Sequence, residues 1–428
     1  MNFSDHDHRY MQRALELAAQ GQGAVEPNPM VGCVLVRDGV VIGEGWHHKY
    51  GGPHAEVNAL NSVDGSPKGA TAYVPLEPCC HTGKTPPCSQ ALIDAQVSRV
   101  VIAAGDPFPA VDGGGVAQLR QAGIDVETGL LADESRSLNA PYFKLVETGR
   151  PWVIAKWAMT LDGKIAAASG DSQWISNERS RAIVHQLRGR MDAILVGSKT
   201  AHHDDPRLTA RPPGPNATYF TLPSGGSDAV AAGEGLERKS PPSDSPSPLV
   251  PRDPPGGRVK SAASGIVPVP CATPIRVATR CVFDSLATLP ADCQLARTSS
   301  EIPVIVFVGP AAPADRVERL EQAGCDVFRC ESNDRAVRII QALDELGRRR
   351  VTNLLVEGGG GLLGGLFDAG QIDEIHCFVA AKLIGGQQAP TPIAGDGLPA
   401  MADALQLQHQ RIELLDEDVH IHGRVKQP

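Results

Sequence analysis

A chain of 428 residues is too long for one ordinary hydrophobic core, and at roughly 100 to 200 residues per domain it predicts two or three. Its 40 basic residues against 49 acidic ones leave a net charge of −9, and aromatics make up 4%, so it supplies neither the phosphate attraction nor the stacking platforms that nucleic-acid binding needs. The stretch from Met1 to Gln12 is polar, no apolar run approaches the length that crosses a bilayer, and Cys33, Cys271, Cys281, Cys293 and Cys377 lie singly. A soluble, cytoplasmic protein with reduced thiols and no membrane contact is expected.

The first 148 residues alternate helical and extended patterns. Apolar Tyr10, Ala14, Leu17 and Ala18 mark a helix over Arg9–Ala19, and Val31–Val36 and Val40–Ile42 flank Asp38-Gly39, a hairpin turn signal. After the break at Gly51-Gly52-Pro53 a helix is predicted from His54 to Leu60. Thr71–Leu76 is strand-like, and Pro78-Cys79 falls where the chain should turn into the next helix, a placement that favours a thiolate. Strands follow at Arg99–Ala104 and Ile124–Val126, with a helix around Val116–Ala122.

These elements carry a pattern with chemical content: His54-Ala55-Glu56, then Pro78-Cys79-Cys80, then Cys88. Structural zinc sites fill all four positions with Cys and His, whereas catalytic ones stop at three protein ligands and leave the fourth to water. With His54, Cys79 and Cys88 on the metal, Glu56 remains outside it as a candidate catalytic proton carrier. The order His-x-Glu, Pro-Cys, Cys is the signature of zinc deaminases. Here the two cysteines are much farther apart than that signature has them, and Cys80 and His81 stand nearby as competing ligands.

Beyond Thr148-Gly149-Arg150 the alternation begins again. Strands are predicted at Trp152–Ala158, Ala193–Val196, Arg280–Phe283, Val304–Val308 and Asn353–Val356, with helices around Ser180–Arg188, Ala314–Ala323 and Ala336–Leu346, which reads as a second α/β domain. Between Pro212 and Thr279 the composition shifts to Pro, Gly, Ser and Ala, and a disordered surface insertion is expected. Glu357 then leads into Gly358-Gly359-Gly360-Gly361 ahead of an apolar helix over Leu362–Phe367, where side-chain-free backbone lets a pyrophosphate approach a helix N-terminus. Gly359, Gly361 and Gly364 satisfy G-x-G-x-x-G, but no acidic residue follows at the dinucleotide-fold spacing.

Pro27-Asn28-Pro29-Met30-Val31-Gly32, Gly45-Trp46-His47, Gly52-Pro53-His54-Ala55-Glu56 and the run from Leu76 through Lys84 to Cys88 closely resemble the bifunctional riboflavin-biosynthesis deaminase/reductase family, whose cysteines share the wide spacing. Lys156–Lys164, Gly170–Ser176, Asp204–Arg211 and Val356–Gly360 resemble its reductase motifs. The resemblance implies an α/β protein with an N-terminal cytidine-deaminase-like three-layer domain over 1–148 and a C-terminal dihydrofolate-reductase-like domain over 149–428. It implies two successive reactions. The first is Zn2+-dependent hydrolytic deamination of the diamino-ribosylamino-pyrimidinone 5′-phosphate, and the second is NADPH-dependent reduction of the ribosyl group to give the ribitylaminouracil 5′-phosphate.

On that resemblance Asn28, His47 and Lys84 match positions that hold the deaminase substrate. Ala158, Trp174, Thr200, Asp204 and Ser285 match positions that meet the nicotinamide cofactor, joined by Gly359, Gly360 and Gly361. Ser172, Arg188, Leu208, Arg211 and Glu357 match positions that meet the reductase substrate. Arg188 and Arg211 suit a ribose phosphate because guanidinium offers its oxygens a planar fork. Lys156 and Glu357 are the candidates for polarising or protonating the opened ribose. Cys80 and Thr160 stand where the family usually has Ser. Two rival readings are a deaminase alone, its reductase-like half inactivated or regulated by the insertion beside Arg211 and Ser285, and a nucleic-acid-editing zinc deaminase, which the acidic balance disfavours. The expected partners are a small pyrimidine ribosyl phosphate and further copies of the chain in a homo-oligomer.

Overall fold

The computed structural model describes residues 3–83, 86–211 and 276–426. One sheet runs β2-β1-β3-β4-β5, built from β1 (Gly32–Arg37), β2 (Val40–Trp46), β3 (Thr71–Leu76), β4 (Arg99–Ala104) and β5 (Asp125–Thr128). β1 and β2 form the expected hairpin, and Asp38 and Gly39 both take positive φ, 52° and 75°, as a tight type I′ turn requires. β3, β4 and β5 pair in parallel, and β3 and β4 are buried almost throughout, which is why they read as unbroken apolar runs. Helix Asp5–Ala19 packs Met11, Ala14 and Leu17 against Val34, Tyr73 and Val101 on one face, while Ala55, Ala59, Leu92 and Leu119 cover Cys33, Val74 and Ile102 on the other. The result is three layers. The first helix starts ahead of the expected Arg9 because Ser4 and Asp7 cap it reciprocally.

The second sheet runs β10-β9-β8-β7-β11-β6-β12-β14-β13. Its strands are β6 (Trp152–Thr160), β7 (Ala193–Gly197), β8 (Thr279–Phe283), β9 (Val304–Val308), β10 (Asp326–Arg329), β11 (Asn353–Val356), β12 (Glu374–Ala380), β13 (Leu407–Leu415) and β14 (Asp418–Val425). Pairing is parallel from β10 to β12, and an antiparallel β14–β13 hairpin closes the far edge. Helices cover both faces, so the strand carboxyl ends of β6, β7, β8 and β11 lie side by side, the usual place for ligands in such sheets.

Two expectations are corrected here. No helix follows Pro78-Cys79 directly; the next one is Cys88–Asp94. The Pro- and Ser-rich stretch also ends sooner than expected: residues 212–275 lie outside the described ones, but 276–279 belong to the body. The Arg276 amide donates to the Gly189 carbonyl at 2.9 Å, its guanidinium bridges Glu26 at 3.2 Å and Asp192 at 2.6 Å, and Thr279 opens β8.

Helix Ala140–Thr148 ends on Gly149 at φ 71°, and β6 begins three residues on at Trp152. Across this seam Lys144 pairs with Asp373 at 2.5 Å, Arg150 with Asp344 at 2.6 Å, and Arg424 donates to the Ser137 hydroxyl at 2.8 Å. Helix Arg335–Arg348 docks here so tightly that a Cβ on Gly347 would stand 1.7 Å from the Gly149 carbonyl. Among the described residues no helix is long and apolar enough to cross a membrane.

Candidate active sites

His54, Cys79 and Cys88 converge from three elements. His54 is the extended N-cap of helix Ala55–Asn61, rather than part of its first turn, Cys79 follows β3, and Cys88 opens helix Cys88–Asp94. His54 Nδ1 lies 3.5 Å from Cys79 Sγ and 3.3 Å from Cys88 Sγ, with one donor atom from each residue within 4.8 Å of the others. One nitrogen and two sulfurs suit a zinc ion that keeps a fourth position open. The helix N-terminus expected at Cys79 reaches that sulfur another way, because the Cys88 amide donates to Cys79 Sγ at 3.3 Å. The Cys79 pKa is pulled down to about 4, first by the Cys88 thiol and then by His54, against the cost of burial.

The backbone around Cys79 is pinned. Its carbonyl accepts from the Ser89 amide at 3.1 Å and hydroxyl at 3.0 Å, and the buried Glu77 carboxylate accepts from the Gly113 and Val116 amides at 3.1 and 3.0 Å. Gly115 is required there, since a Cβ would stand 2.0 Å from the Pro78 carbonyl. Glu77 thus holds the ligand loop by capping a neighbouring helix, a role its place in the motif did not reveal. Cys80 turns away from the cluster, its thiol donating to the Ala110 carbonyl at 3.3 Å. Metal analysis paired with an ammonia-release assay should find that Cys79→Ala and Cys88→Ala lose metal and activity together, whereas Cys80→Ala keeps both.

Glu56 is 3% exposed, and burial raises its carboxyl pKa, reinforced by the Cys79 charge. His47 is also buried, which lowers its pKa, so the ring is neutral. Its Nδ1–H donates to the Pro53 carbonyl at 2.9 Å, leaving Nε2 as the acceptor for the Asn28 amide at 3.3 Å. Asn28, His47, His54, Glu56 and Cys79 line one cavity of about 710 Å³, ample for a nucleotide-sized ligand. Lys84 lies outside the described residues. The cavity has a wall that the sequence reading missed: Asp344, Gly347, Arg348 and Arg350 reach it from the C-terminal end of helix Arg335–Arg348. Nothing in their spacing marks them, because the helix is written by its core face.

A second set of residues gathers at the carboxyl ends of β6, β7, β8 and β11. Arg188 closes both arms of its fork on Glu357, at 2.5 and 3.0 Å, and Lys156 Nζ lies 3.7 Å from the same carboxylate. Burial works against the Glu357 charge, but Arg188 and then Lys156 hold its pKa down to about 2. Burial lowers the Lys156 pKa, with Glu357 opposing. Glu357 is thus held as an anion between Arg188 and Lys156. Arg188 Nη1 also donates to the Thr209 carbonyl at 3.3 Å, whereas Arg211 is exposed.

Gly359 caps helix Gly360–Asp368, and its amide donates to Thr200 Oγ1 at 3.1 Å. Gly360 and Gly364 admit the following loop instead of a strand: a Cβ would stand 2.3 Å from the Thr391 carbonyl and 1.6 Å from that of Ala394. Gly361 and Ser285 are met by Arg335 and Arg338, which donate to the Gly361 carbonyl and, at 3.2 Å, to the Ser285 hydroxyl. Asp204 ends helix Ser198–Asp204, and Ala158 lies on β6. Ser172 and Trp174 precede helix Glu178–Arg188, the Trp174 ring 65% exposed beneath the Arg181 guanidinium at 4.6 Å. Leu208, at φ 51°, buries its side chain in the core with Ile194 and Val282, so it offers a ligand only backbone.

Residues 151–421 match the family described as RibD C-terminal domain, and residues 4–104 the cytidine and deoxycytidylate deaminase zinc-binding region. The riboflavin biosynthesis protein RibD of Actinobacillus pleuropneumoniae is 38% identical over 96% of this chain and 93% of its own length. RibD of Escherichia coli is 35% identical over 97% and 98%. The solved structure of Acinetobacter baumannii RibD aligns with a TM-score of 0.75 at 31% identity, covering 99% of both chains. A Thermotoga maritima structure described as a diaminohydroxyphosphoribosylaminopyrimidine deaminase/5-amino-6-(5-phosphoribosylamino)uracil reductase aligns at 0.71 and 29%, covering 98% of this chain and 99% of that one.

Proposed function

This chain belongs to the RibD family of bifunctional riboflavin-biosynthesis deaminase/reductases, and on that premise we propose how its two sheets divide the work. Residues 1–148 carry a zinc-dependent hydrolytic deamination of the diamino-ribosylamino-pyrimidinone 5′-phosphate. Residues 149–428 carry the NADPH-dependent reduction of its ribosyl group to a ribityl chain. The observation that supports this most is a buried carboxylate, Glu56, sharing a cavity with the His54, Cys79 and Cys88 donors.

His54, Cys79 and Cys88 would hold the zinc ion, which would supply the Lewis acidity that makes a water easier to deprotonate at neutral pH. Glu56, its pKa raised by burial, carries the two protons of the attacking water in turn, one to the ring nitrogen and the second to the amine that departs as ammonia. The Asn28 amide and the neutral His47 ring are oriented by their own hydrogen bonds and present polar edges to the pyrimidine. Arg348 and Arg350 supply the positive charge that the substrate phosphate needs at this cavity. Arg350→Ala is expected to raise the KM for deamination about tenfold with little change in kcat, the mark of lost uniform binding.

In the other half the amides that open helix Gly360–Asp368 suit a pyrophosphate, and Arg335 and Arg338 beside Gly361 and Ser285 favour the extra phosphate of NADPH over NADH. NADPH supplies the hydride. Lys156 delivers the proton to the ribose oxygen, kept in place by Glu357, and Arg211 meets the ribose phosphate. The nine described cysteines are unpaired, in keeping with a reducing cytoplasm. A homo-oligomer is supported by the edge strand β13, where Ile412 and Leu414 are 66% and 75% exposed. The test is direct: purified full-length protein should release ammonia from the diaminopyrimidine and oxidise NADPH on the deaminated product. Ammonia release without NADPH oxidation would leave the deaminase-only reading.

A further inference from the structure

Far along the second sheet from the glycine run, β14 carries His420-Ile421-His422. Alternate residues of a strand share a face, so the two imidazoles stand together, 4.8 Å between ring centroids. In register Glu413 of β13 faces His420, and His376 of β12 faces His422. His420 is 0% and His422 7% exposed. Three buried atoms here lack a hydrogen-bond partner among the described residues: His420 Nδ1, His422 Nε2 and Glu413 Oε2.

Among the described residues no neighbouring side chain donates to these three atoms. Glu374, anchored by Trp152 Nε1 at 3.1 Å, accepts from His376 Nε2 at 3.1 Å. In the tautomer that gives Nε2–H to Glu374, His376 Nδ1 accepts from His420 Nε2–H at 3.0 Å. His420 Nδ1 is left as a bare lone pair, 3.8 Å from the Glu413 carboxylate, too far for a hydrogen bond and with no proton to share. Two acceptors face one another across a gap, and a bound cation would satisfy both.

We propose that Glu413, His420 and His422 form a second metal site, for a divalent ion of the zinc or cobalt kind. One donor atom from each residue lies within 4.8 Å of the others. Metal–ligand bonds of about 2.0–2.2 Å ask for donors roughly 3.4 Å apart in a tetrahedral site, so the site closes slightly on binding. Glu413 has the freedom to do this, lying on the edge strand with its side chain 25% exposed, which is also the path of entry. The Glu374–His376 relay orients His420 from behind, as carboxylate–histidine pairs do behind metal ligands. Arg411, in register with His422, offsets part of the acidic charge of Glu413. The donors are two nitrogens and an oxygen, unlike the sulfur-rich cluster near Glu56, and the ion would staple β13 to β14 within the terminal hairpin.

The test is a Co2+ titration of the full-length, metal-stripped protein. Wild type should take up two ions per chain, one with a thiolate-to-cobalt absorption band and one without. Glu413→Gln and His422→Ala should take up one, with the thiolate band at full intensity, and His376→Ala should weaken the second ion about 10- to 100-fold. Glu413→Gln alters a partly exposed edge side chain with a near-isosteric one, so it reports even if His422→Ala fails to fold. No thiolate-free ion in wild type, or undiminished uptake of it in Glu413→Gln, would overturn the proposal. Loss of the thiolate band alone would count against the deaminase reading and leave this site standing.

Discussion

Glu56→Gln should release ammonia about 10²- to 10⁴-fold more slowly than wild type, the range that a positioned proton carrier contributes. It should keep its metal, since the amide matches the carboxyl in shape and the donors belong to His54, Cys79 and Cys88. At 3% exposure Glu56 has little solvent to relay protons in its place. The same protein, given the deaminated intermediate, should oxidise NADPH at the wild-type rate, because Lys156 and Glu357 sit on a different sheet. Ammonia release within tenfold of wild type in a metal-loaded sample would remove Glu56 from the mechanism.

Glu357→Gln should be costly twice over. It leaves the guanidinium of Arg188 and the ammonium of Lys156 buried without their shared anion, a change that typically costs about 3–5 kcal/mol. NADPH oxidation should fall by about 10²-fold or more as Lys156 loses its position. The pH dependence has a definite sign. Glu357 has a folded pKa of about 2 against an ordinary 4.5, so on acidification the unfolded chain binds its proton first. Its stabilisation, on the order of 3 kcal/mol, is therefore complete above the ordinary value and drains away as pH falls toward the folded one. Urea midpoints across that interval should slope in wild type and lose that component in Glu357→Gln; parallel slopes would show that the carboxylate is not held as described.

The parallel strands were legible because burial on both faces writes itself as apolar runs: Thr71–Leu76, Arg99–Ala104, Val304–Val308 and Asn353–Val356 coincide with β3, β4, β9 and β11 end to end. The terminal hairpin was not, because β13 and β14 alternate apolar residues with polar ones, and the face that carries Arg411, Glu413, His420 and His422 is wholly or partly buried rather than turned to water. Among site residues, spacing within one segment identified His54, Cys79 and Cys88, since ligand chemistry restricts residue type. It missed the contacts of Glu77 and the place of Arg350 in the cavity wall, which arise only when distant elements meet, and it did not foresee that Arg188 pairs with Glu357.

Helix Arg335–Arg348 begins beside the glycine run, through Arg335 and Arg338, and ends at the cavity of Glu56, through Arg348. At 1.5 Å per residue it is a rod about 21 Å long. Each residue inserted into such a rod turns everything beyond it by about 100°. A single insertion that left both catalytic motifs intact would therefore rotate one arginine pair out of phase with the other, and the two reactions share a mechanical constraint that neither motif records.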